Sequence, residues 1–226
     1  MKKVAVIVAG GSGQRMGTAV PKQFLLLKGK PVLWYSIRAF MDTYDDIAII
    51  LVLPKEHLAE GEEMVHELNT GKNIQFVSGG GTRFHSVQNG LAQIKEPAVV
   101  FVHDAVRCLV TPALIRNCYE TARTKGSAIP VVAATDSIRI IENGSSRVAD
   151  RNKIRIIQTP QTFLSEILLP AFQANYKDSF TDEATVVEAA GCSVTLVEGE
   201  YSNIKITRPI DLVMAEMILQ ERASSF

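Results

Sequence analysis

Short runs of apolar, often β-branched residues alternate along this chain with stretches in which apolar residues recur every three or four positions. The first pattern predicts strands at Val4–Val8, Ile47–Val52, Ile74–Val77, Val99–His103 and Ala128–Val132. The second pattern predicts helices at Val32–Thr43, Glu56–Leu68, Arg83–Ile94 and Pro112–Lys125. Continuous apolar strands are typical of a parallel sheet that is covered on both faces. The alternation therefore predicts an α/β fold with a doubly wound, mostly parallel sheet.

The pattern changes after the fifth strand. Ser137–Glu142 alternates between apolar and polar residues, Asn143–Gly144 favours a tight turn, and Arg147–Ala149 resumes the strand. This predicts a β-hairpin arm at about 135–155 that projects from one domain spanning 1–226. Such an arm either embraces a second subunit or is a plain surface hairpin, and the pattern leaves both open. Later elements are expected near Leu164–Asn175, Thr181–Ala190, Val194–Val197, Asn203–Ile206 and from Pro209.

Composition narrows the class of partner. Lys plus Arg and Asp plus Glu each number 24, so the balance gives no reason to expect a nucleic acid or an anionic membrane. No apolar run approaches the roughly 20 residues of a membrane span, and Val4–Ala9 is short for a signal peptide. The three cysteines, Cys108, Cys118 and Cys192, lack metal-binding spacing, and an odd number without a dense disulfide framework is typical of a reducing cytoplasm.

A glycine-rich loop, Ala9–Gly17, follows the first strand. Its backbone N–H groups can approach a phosphate closely. Met16 stands where a dinucleotide fingerprint needs a small residue, and the Gly-Lys-Ser/Thr ending of a Walker loop is absent. Arg15 and Lys22 add two cations that would stabilise the charge developing at an attacked α-phosphoryl group. The alternative is a structural turn beside two solvated cations.

Further candidates follow later strands. Asp104, in the segment His103–Arg107 at the end of a buried strand, is placed to meet Mg²⁺ or a ligand hydroxyl, or else to cap a helix. His103 is expected to be packed rather than to act as a base, and Arg107 either binds a substrate phosphate or lies on the surface. A second glycine turn, Ser78–Ser86, could receive a flat base, although a plain loop fits it equally well. Thr181 fits a helix cap, and Lys205 alone fits an exposed strand lysine.

The segments AGGSGQRMG, PKQF, GGGTR, HDAVR, DRN, QTPQ, TDEA and NIKITRP occur together, in the order found in 2-C-methyl-D-erythritol 4-phosphate cytidylyltransferases. The chain resembles that family from Val4 to Ile218. The resemblance implies a Rossmann-like nucleotidyltransferase domain with a dimerising arm, and a cytoplasmic, Mg²⁺-dependent homodimer. The implied reaction joins CTP to 2-C-methyl-D-erythritol 4-phosphate, giving 4-diphosphocytidyl-2-C-methyl-D-erythritol and pyrophosphate.

The resemblance also implies roles for individual residues. The catalytic set would be Arg15, Lys22, Arg151 and Lys205. CTP would be held by Ala9, Gly10, Gly11, Gly13, Gly80, Gly81 and Ser86. The polyol phosphate would be surrounded by Asp104, Arg107, Ser137, Thr159 and Thr181, together with Arg151 and Lys205. Asp104 would be the one protein ligand of a Mg²⁺ ion held mostly by CTP phosphates. Arg151 adjoins the arm, so it could serve the partner subunit's site.

Departures from the family and rival functions remain to be weighed. Gly81 stands where the family usually has an acidic residue, and Val106 and Cys108 replace Ala and Pro of the HDAARP segment. A ribitol-5-phosphate cytidylyltransferase is the nearest rival, followed by a sugar-phosphate nucleotidyltransferase. From another class, a catalytically silent nucleotide-binding protein is the alternative, which the presence of Arg15, Lys22 and Asp104 argues against.

Overall fold

The computed structural model describes residues 1–9, 20–67 and 74–224. The strands are β1 (Lys2–Val8), β2 (Leu26–Leu27), β3 (Lys30–Pro31), β4 (Ile47–Leu53), β5 (Ile74–Ser78), β6 (Ala98–Asp104), β7 (Ser127–Ala133), β8 (Ile138–Glu142), β9 (Ser145–Ala149), β10 (Arg155–Ile157), β11 (Gln161–Leu164) and β12 (Leu196–Glu198). The helices are α1 (Val32–Thr43), α2 (Leu58–Glu67), α3 (Arg83–Leu91), α4 (Pro112–Lys125), α5 (Ser165–Ala171), α6 (Glu183–Ala189) and α7 (Pro209–Ser224).

The main sheet has the order β10-β7-β11-β6-β1-β4-β5, with β12 paired to β7. Strands β6, β1, β4 and β5 are mutually parallel, whereas β11 runs antiparallel between β6 and β7. The register places Val8 of β1 between Val52 of β4 and Asp104 of β6. The expected mostly parallel, doubly wound α/β sheet is confirmed, with two antiparallel strands, β11 inside the sheet and β10 at its edge beside β7.

Helices cover both faces of this sheet, because each central strand is apolar on both sides. Val4, Val6 and Val8 of β1 join a core with α3, α5 and α6 on one face. Ala5 and Ile7 join the opposite core with α1, α2 and α4. A smaller cluster packs α7 against the segment after β6. In the part of the chain that the structure describes, no helix combines the length and apolarity needed to cross a membrane.

The hairpin arm forms as the pattern predicts. Strands β8 and β9 pair with each other in a two-stranded sheet of their own and, among the described strands, with no other. Asn143 and Gly144 at its tip have φ angles of 50° and 77°, the left-handed values that a type I′ turn requires and that this dipeptide adopts readily. Both strands are mostly exposed.

Two local expectations were wrong. Asn203–Ile206 is irregular rather than a strand, because its backbone groups bond to scattered partners: the Asn203 N–H donates to the Glu200 carbonyl, and the Ile206 N–H donates to Val106. Asp182, not Thr181, caps α6; its carboxylate accepts from the Thr185 N–H at 2.9 Å. The acidic side chain one residue later therefore takes the capping role that was expected of the threonine.

Candidate active site

The carboxyl ends of β1 and β6 lie at the point where the strand order reverses. The chain leaves β1 towards β4 on one side, while β6 pairs with β1 on the other. Loops diverge at such a switch point, which leaves a crevice beyond the strand ends where α/β proteins bind ligands. Ala9 and Asp104 both lie at this edge, so it is the first place to look for a site.

Two cavities open there. The glycine-turn cavity, about 280 Å³, is lined by Val8, Ala9, Lys22, Gln23, Gly80, Gly81, Thr82, Arg83, Asp104, Val106 and Lys205. The Thr159 cavity, about 190 Å³, is lined by Arg83, Asp104, Arg107, Ile157, Gln158, Thr159, Gln161, Thr181, Asp182 and Lys205. Arg83, Asp104 and Lys205 line both cavities, so the two form neighbouring halves of one crevice.

A larger cavity of about 550 Å³ lies at the opposite edge, at the amino ends of β1, β4 and β5. Of its two lysines, Lys2 is paired with Glu96 and Lys95 donates to the Ala92 carbonyl, and its amides Gln75 and Gln93 bond to each other. None of the residues expected to bind a ligand lines it. Size therefore does not identify the site, and the convergent polar groups at the carboxyl edge do.

Asp104 is the centre of the crevice. Its Oδ1 accepts from Arg83 Nε at 3.1 Å, and its Oδ2 accepts from Lys205 Nζ at 2.7 Å. Burial favours the protonated carboxyl, but Arg83 and then Lys205 outweigh burial and hold the pKa of Asp104 well below its usual range. Asp104 is therefore an anion at working pH that orders two cations at the boundary between the cavities.

Arg83 continues this chain of charges to Glu183. Its Nη1 and Nη2 atoms lie 2.5 and 3.1 Å from the two carboxylate oxygens of Glu183, whose side chain is fully buried. The sequence analysis missed both residues. Arg83 lies in the segment GGGTR and Glu183 in the segment TDEA, but the sequence pattern gives neither side chain a role. The signal available was a pair of opposite charges adjoining two candidate loops.

His103 orders the wall of the Thr159 cavity without titrating. A carbonyl only accepts, so His103 Nε2 must donate to the Arg107 carbonyl at 3.2 Å, which leaves Nδ1 to accept from the Thr159 hydroxyl at 3.0 Å. The Thr159 oxygen in turn accepts from the Asp104 N–H at 3.1 Å. Burial lowers the pKa of His103 to about 3. It is a packed, neutral histidine, as expected, and not a base.

Arg107 presents a cation that no carboxylate in the described residues contacts. Its guanidinium donates to the backbone carbonyls of Asn203 at 2.9 Å and Ile157 at 3.1 Å. Burial lowers the pKa of Arg107, although the group stays protonated at neutral pH. A half-buried guanidinium fixed by neutral carbonyls at a cavity wall keeps its charge available to an anion.

The second glycine turn is held in place by hydrogen bonds to the Ser86 side chain. The Ser86 hydroxyl accepts from the Gly80 N–H at 3.1 Å and donates to the Thr82 carbonyl at 3.0 Å, so it holds the turn. A Cβ on Gly80 would lie 2.5 Å from the Cβ of His85, which explains why that position lacks a side chain. At Gly81 a Cβ would meet nothing within 4 Å. The turn therefore exposes backbone to the cavity at Gly81.

Lys22 and Gln23 enter the glycine-turn cavity from the short 3₁₀ turn Lys22–Phe24. Gln23 is 1% exposed, and its Nε2 has no hydrogen-bond partner in the described part of the chain. It is a further polar group at this wall that sequence reasoning missed. Gly10, Gly11, Gly13 and Arg15, which were expected to contact the nucleotide, lie outside the described residues.

Ser137 and Arg151 are not brought to the crevice of their own chain. Both are exposed, Ser137 directly before β8 and Arg151 shortly after β9, and neither lines either cavity. Arg151 donates to the Thr135 carbonyl at 2.8 Å. Thr181 and Lys205, in contrast, lie with Asp104, Arg107 and Thr159 around the same cavity, although they are far apart in the sequence.

The described residues of the crevice offer few side chains that could coordinate a metal ion. No cluster of three or more His, Cys, Asp or Glu side chains suited to a metal occurs within 1–9, 20–67 and 74–224. Asp104 is the carboxylate of the shared wall. Its Oδ1 faces two nitrogens of Arg83, whereas its Oδ2 accepts one bond, from Lys205, and keeps a lone pair. Mg²⁺ commonly takes one or two carboxylates and completes its shell with phosphate and water. The donors present fit an ion carried mainly by a polyphosphate.

Comparison with known proteins agrees with this picture. Residues 3–221 match the family model described as IspD: 2-C-methyl-D-erythritol 4-phosphate cytidylyltransferase. A cytidylyltransferase of that name from Azobacteroides pseudotrichonymphae genomovar. CFP2 is 44% identical over 219 residues, which cover 96% of this chain and 99% of the relative. The one from Phocaeicola vulgatus is 44% identical and covers 97% and 100%. The crystal structure of 4-diphosphocytidyl-2C-methyl-D-erythritol synthase from Anaerococcus prevotii DSM 20548 is similar with a TM-score of 0.82 at 27% identity, over 97% and 99% of the two chains.

Proposed function

The chain belongs to the 2-C-methyl-D-erythritol 4-phosphate cytidylyltransferase family, and we propose that its carboxyl-edge crevice carries out that family's reaction. The enzyme transfers the cytidylyl group of CTP to 2-C-methyl-D-erythritol 4-phosphate and releases pyrophosphate. The family match and the relatives' names do not favour ribitol phosphate or a sugar phosphate as the acceptor.

The observation that carries the assignment of the site is the junction of the two cavities at Arg83, Asp104 and Lys205. A transfer between two substrates needs two adjoining pockets whose reacting ends meet. The glycine-turn cavity offers exposed backbone and a lysine, which suits a nucleotide triphosphate. The Thr159 cavity offers hydroxyls and Arg107, which no carboxylate of the described residues contacts, and this suits a phosphorylated polyol. CTP therefore occupies the first and the acceptor the second.

On the nucleotide side, Lys22 and Arg15 neutralise charge at the α-phosphate. An acceptor phosphate oxygen attacks the α-phosphorus, the new P–O bond forms, and the bond to the bridging oxygen of pyrophosphate breaks. Negative charge then builds on the α-phosphoryl oxygens and on the departing pyrophosphate. Fixed cations stabilise this charge more in the transition state than in the ground state. Ala9, Gly10, Gly11, Gly13, Gly80 and Gly81 hold the nucleotide through backbone, and Ser86 acts by supporting Gly80.

On the acceptor side no general base is required. The second pKa of a phosphate monoester is about 6, so the nucleophile is already an anion near neutral pH. This agrees with the neutral, buried His103. Arg107 and Lys205 hold the acceptor in place, and the hydroxyls of Thr159 and Thr181 contribute hydrogen bonds. Catalysis is then positioning together with charge neutralisation.

Magnesium acts as a partner of the triphosphate. Asp104 is the residue that would contact it, with the remaining ligands from CTP phosphates and water. The ion would neutralise phosphate charge when bound. Asp104 itself keeps Lys205 in place, and that role does not depend on the metal.

The arm makes the active unit a homodimer. Ile141 and Val148 on the arm are each 70% exposed, and Ile156 on the neighbouring strand is 52% exposed. Apolar side chains this exposed on a projecting hairpin are more stable when a second copy covers them. Arg151 and Ser137 are displaced from the crevice of their own chain, so they serve the acceptor pocket of the partner subunit, where Arg151 binds the acceptor phosphate.

The whole chain acts as one nucleotidyltransferase domain in the cytoplasm. Cys108, Cys118 and Cys192 are all free thiols, which suits a reducing compartment. Burial raises the pKa of Cys108 and Cys118 to about 12, so these thiols are packed rather than reactive.

Pyrophosphate release tests the function. Purified protein with Mg²⁺ is given CTP, UTP or ATP, each crossed with methylerythritol phosphate, ribitol 5-phosphate and a sugar 1-phosphate. Turnover is expected with CTP and methylerythritol phosphate. Preference for ribitol 5-phosphate would keep the nucleotide assignment and overturn the acceptor, whereas absence of turnover with every pair would leave a nucleotide-binding protein without this activity.

A further inference from the structure

The ion pair between Arg83 and Glu183 joins the first residues of two helices that lie 100 positions apart in the sequence. Arg83 begins α3 and follows directly on the glycine turn that ends at Thr82. Glu183 begins α6 and follows directly on Thr181 and Asp182. Each helix start thus adjoins a loop that lines one of the two cavities.

The guanidinium of Arg83 is held on two sides. Nη1 and Nη2 bind the carboxylate of Glu183, while Nε and Nη2 lie 3.1 and 3.0 Å from Asp104 Oδ1. A guanidinium is a rigid planar fork, so anchoring its far end fixes the direction in which the other donors point. The orientation of Asp104 is therefore set through Arg83 by a residue outside both cavities.

The environment of Glu183 makes this anchor firm. Its side chain is fully buried, whereas the Arg83 side chain is 30% exposed and lines both cavities. The start of α6 is itself tied to the sheet. Gln161 donates to Asp182 Oδ2 at 3.0 Å and accepts from the Ala184 N–H at 2.8 Å. The carboxylate thus extends from a helix end that β11 already holds in place.

We propose that Glu183 and Arg83 are positioning residues for cytidylyl transfer, which fix the Asp104 carboxylate so that Lys205 is held where the two substrates meet. This inference rests on the proposed function, because it presumes that the cavities hold CTP and the acceptor phosphate. Neither residue is required to bond a reacting atom. The pair acts on the alignment of the acceptor with the α-phosphate, so its loss lowers kcat more than it weakens binding of either substrate.

The decisive comparison uses two variants, because a buried ion pair also supports stability. Glu183→Gln keeps the shape of the side chain but removes the charge that anchors Arg83. The double variant Arg83→Met with Glu183→Leu replaces both charges by apolar groups, which often restores the stability that is lost when only one partner is removed. Leu168→Ala truncates a fully buried core side chain in α5 and serves as the control. It lowers stability without removing any of the charges of Glu183, Arg83, Asp104 and Lys205.

The measurements are Tm, kcat, and KM for CTP and for methylerythritol phosphate. Glu183→Gln is expected to lower kcat by about 10- to 100-fold, with both KM values within about threefold of wild type. The double variant is expected to have a higher Tm than Glu183→Gln and no higher kcat. Leu168→Ala is expected to lose Tm while keeping kcat.

Two results would overturn the inference. A folded Glu183→Gln protein with kcat within about threefold of wild type would show that the anchor does not matter to the reaction. A double variant that regains both Tm and wild-type kcat would show that the pair is only structural. If the double variant does not fold, the Glu183→Gln variant tests the inference by itself, through the size of its change in kcat compared with its change in KM. Absence of turnover by the wild-type enzyme would instead overturn the proposed function, and this inference with it.

Discussion

The two halves of the crevice are built in different ways. The glycine-turn cavity is made largely by short segments that follow strands directly, with Ala9 after β1 and Gly80 after β5. The Thr159 cavity is made by side chains from distant parts of the chain, since Lys205 reaches Asp104 across 101 positions. Backbone geometry dominates the first half, and long-range placement of side chains dominates the second.

This difference has a functional consequence. Backbone N–H groups bind phosphate through geometry that most side-chain replacements leave intact, so the nucleotide half depends on a few cations beside a fixed turn. The acceptor half depends on many side chains, each held by a neighbouring group, as the His103 ring holds Thr159 and the Asn203 backbone carbonyl holds Arg107. Single substitutions should therefore act on kcat when they remove a nucleotide-side cation, and on acceptor binding when they remove a polar acceptor-side group.

The largest effect is expected from Lys22→Ala. Removing one preorganised cation at the α-phosphate should lower kcat by about 10²-fold or more, the scale for losing a single electrostatic contact in the transition state. Lys30→Ala is the matched control, because Lys30 lies on β3, is exposed, and lines neither cavity. Steady-state turnover with CTP and methylerythritol phosphate measures both. A Lys22→Ala enzyme within about threefold of wild type would remove the lysine from the mechanism.

The pH dependence of kcat/KM distinguishes ionisation of the acceptor phosphate from ionisation of an enzyme group. At saturating CTP, kcat/KM for the acceptor should fall about tenfold per pH unit below about 6, because the phosphate monoester is then protonated and loses its nucleophilic form. His103 adds no limb near this pH, since burial lowers its pKa to about 3 and it is neutral on both sides. The limb should coincide with the pKa of the free acceptor, measured by phosphorus NMR. A limb displaced by a full unit or more would indicate an ionising enzyme group.

Arg151→Ala tests whether the acceptor half is completed by a second chain. Loss of a guanidinium–phosphate contact should raise KM for the acceptor by about tenfold and leave KM for CTP unchanged, since one charge-assisted hydrogen bond is removed. Arg155→Ala, another exposed arginine nearby, is the control. An effect confined to CTP would contradict the assignment.

Mixing the Lys22→Ala and Arg151→Ala variants then shows whether Arg151 serves the site of its own chain or that of the partner. If Arg151 serves the partner's site, a dimer of one Lys22→Ala chain and one Arg151→Ala chain contains one intact site and one doubly altered site. Subunit exchange should then give roughly a quarter of wild-type activity at subsaturating acceptor, because about half of the dimers are mixed. If Arg151 acts within its own chain, every site in the mixture carries one substitution and activity does not rise above the average of the two parents.

Features built by local segments could be predicted from the sequence, whereas contacts between distant side chains could not. Periodicity and turn residues are local, so they predicted the central strands, the start of α4 at Thr111–Pro112 and the turn at Asn143–Gly144. The ion pair of Arg83 and Glu183 could not be predicted in this way. Glu183 has a sufficient local explanation as favourable charge at a helix start, Arg83 has no local signal of a partner, and only the fold shows that they meet. The gathering of Thr159, Thr181 and Lys205 was expected from family resemblance alone.

Gly81→Asp gives the smallest expected effect and tests the nucleotide half by adding a side chain to it. The position has room, because a Cβ would meet nothing within 4 Å, and Gly81 is not among the described glycines with positive φ. The resemblance noted in the sequence implies an acid at this position in the family, and with CTP in this cavity, as proposed, a carboxylate here should accept a hydrogen bond from a ribose hydroxyl. One such bond should lower KM for CTP by about 2- to 10-fold. The gain should shrink with 2′-deoxy- or 3′-deoxy-CTP, whichever lacks the hydroxyl concerned, and Gly81→Ala should not reproduce it. An equal gain with both deoxynucleotides would mean that the new side chain acts by stiffening the turn, and that the nucleotide half is read by its backbone alone.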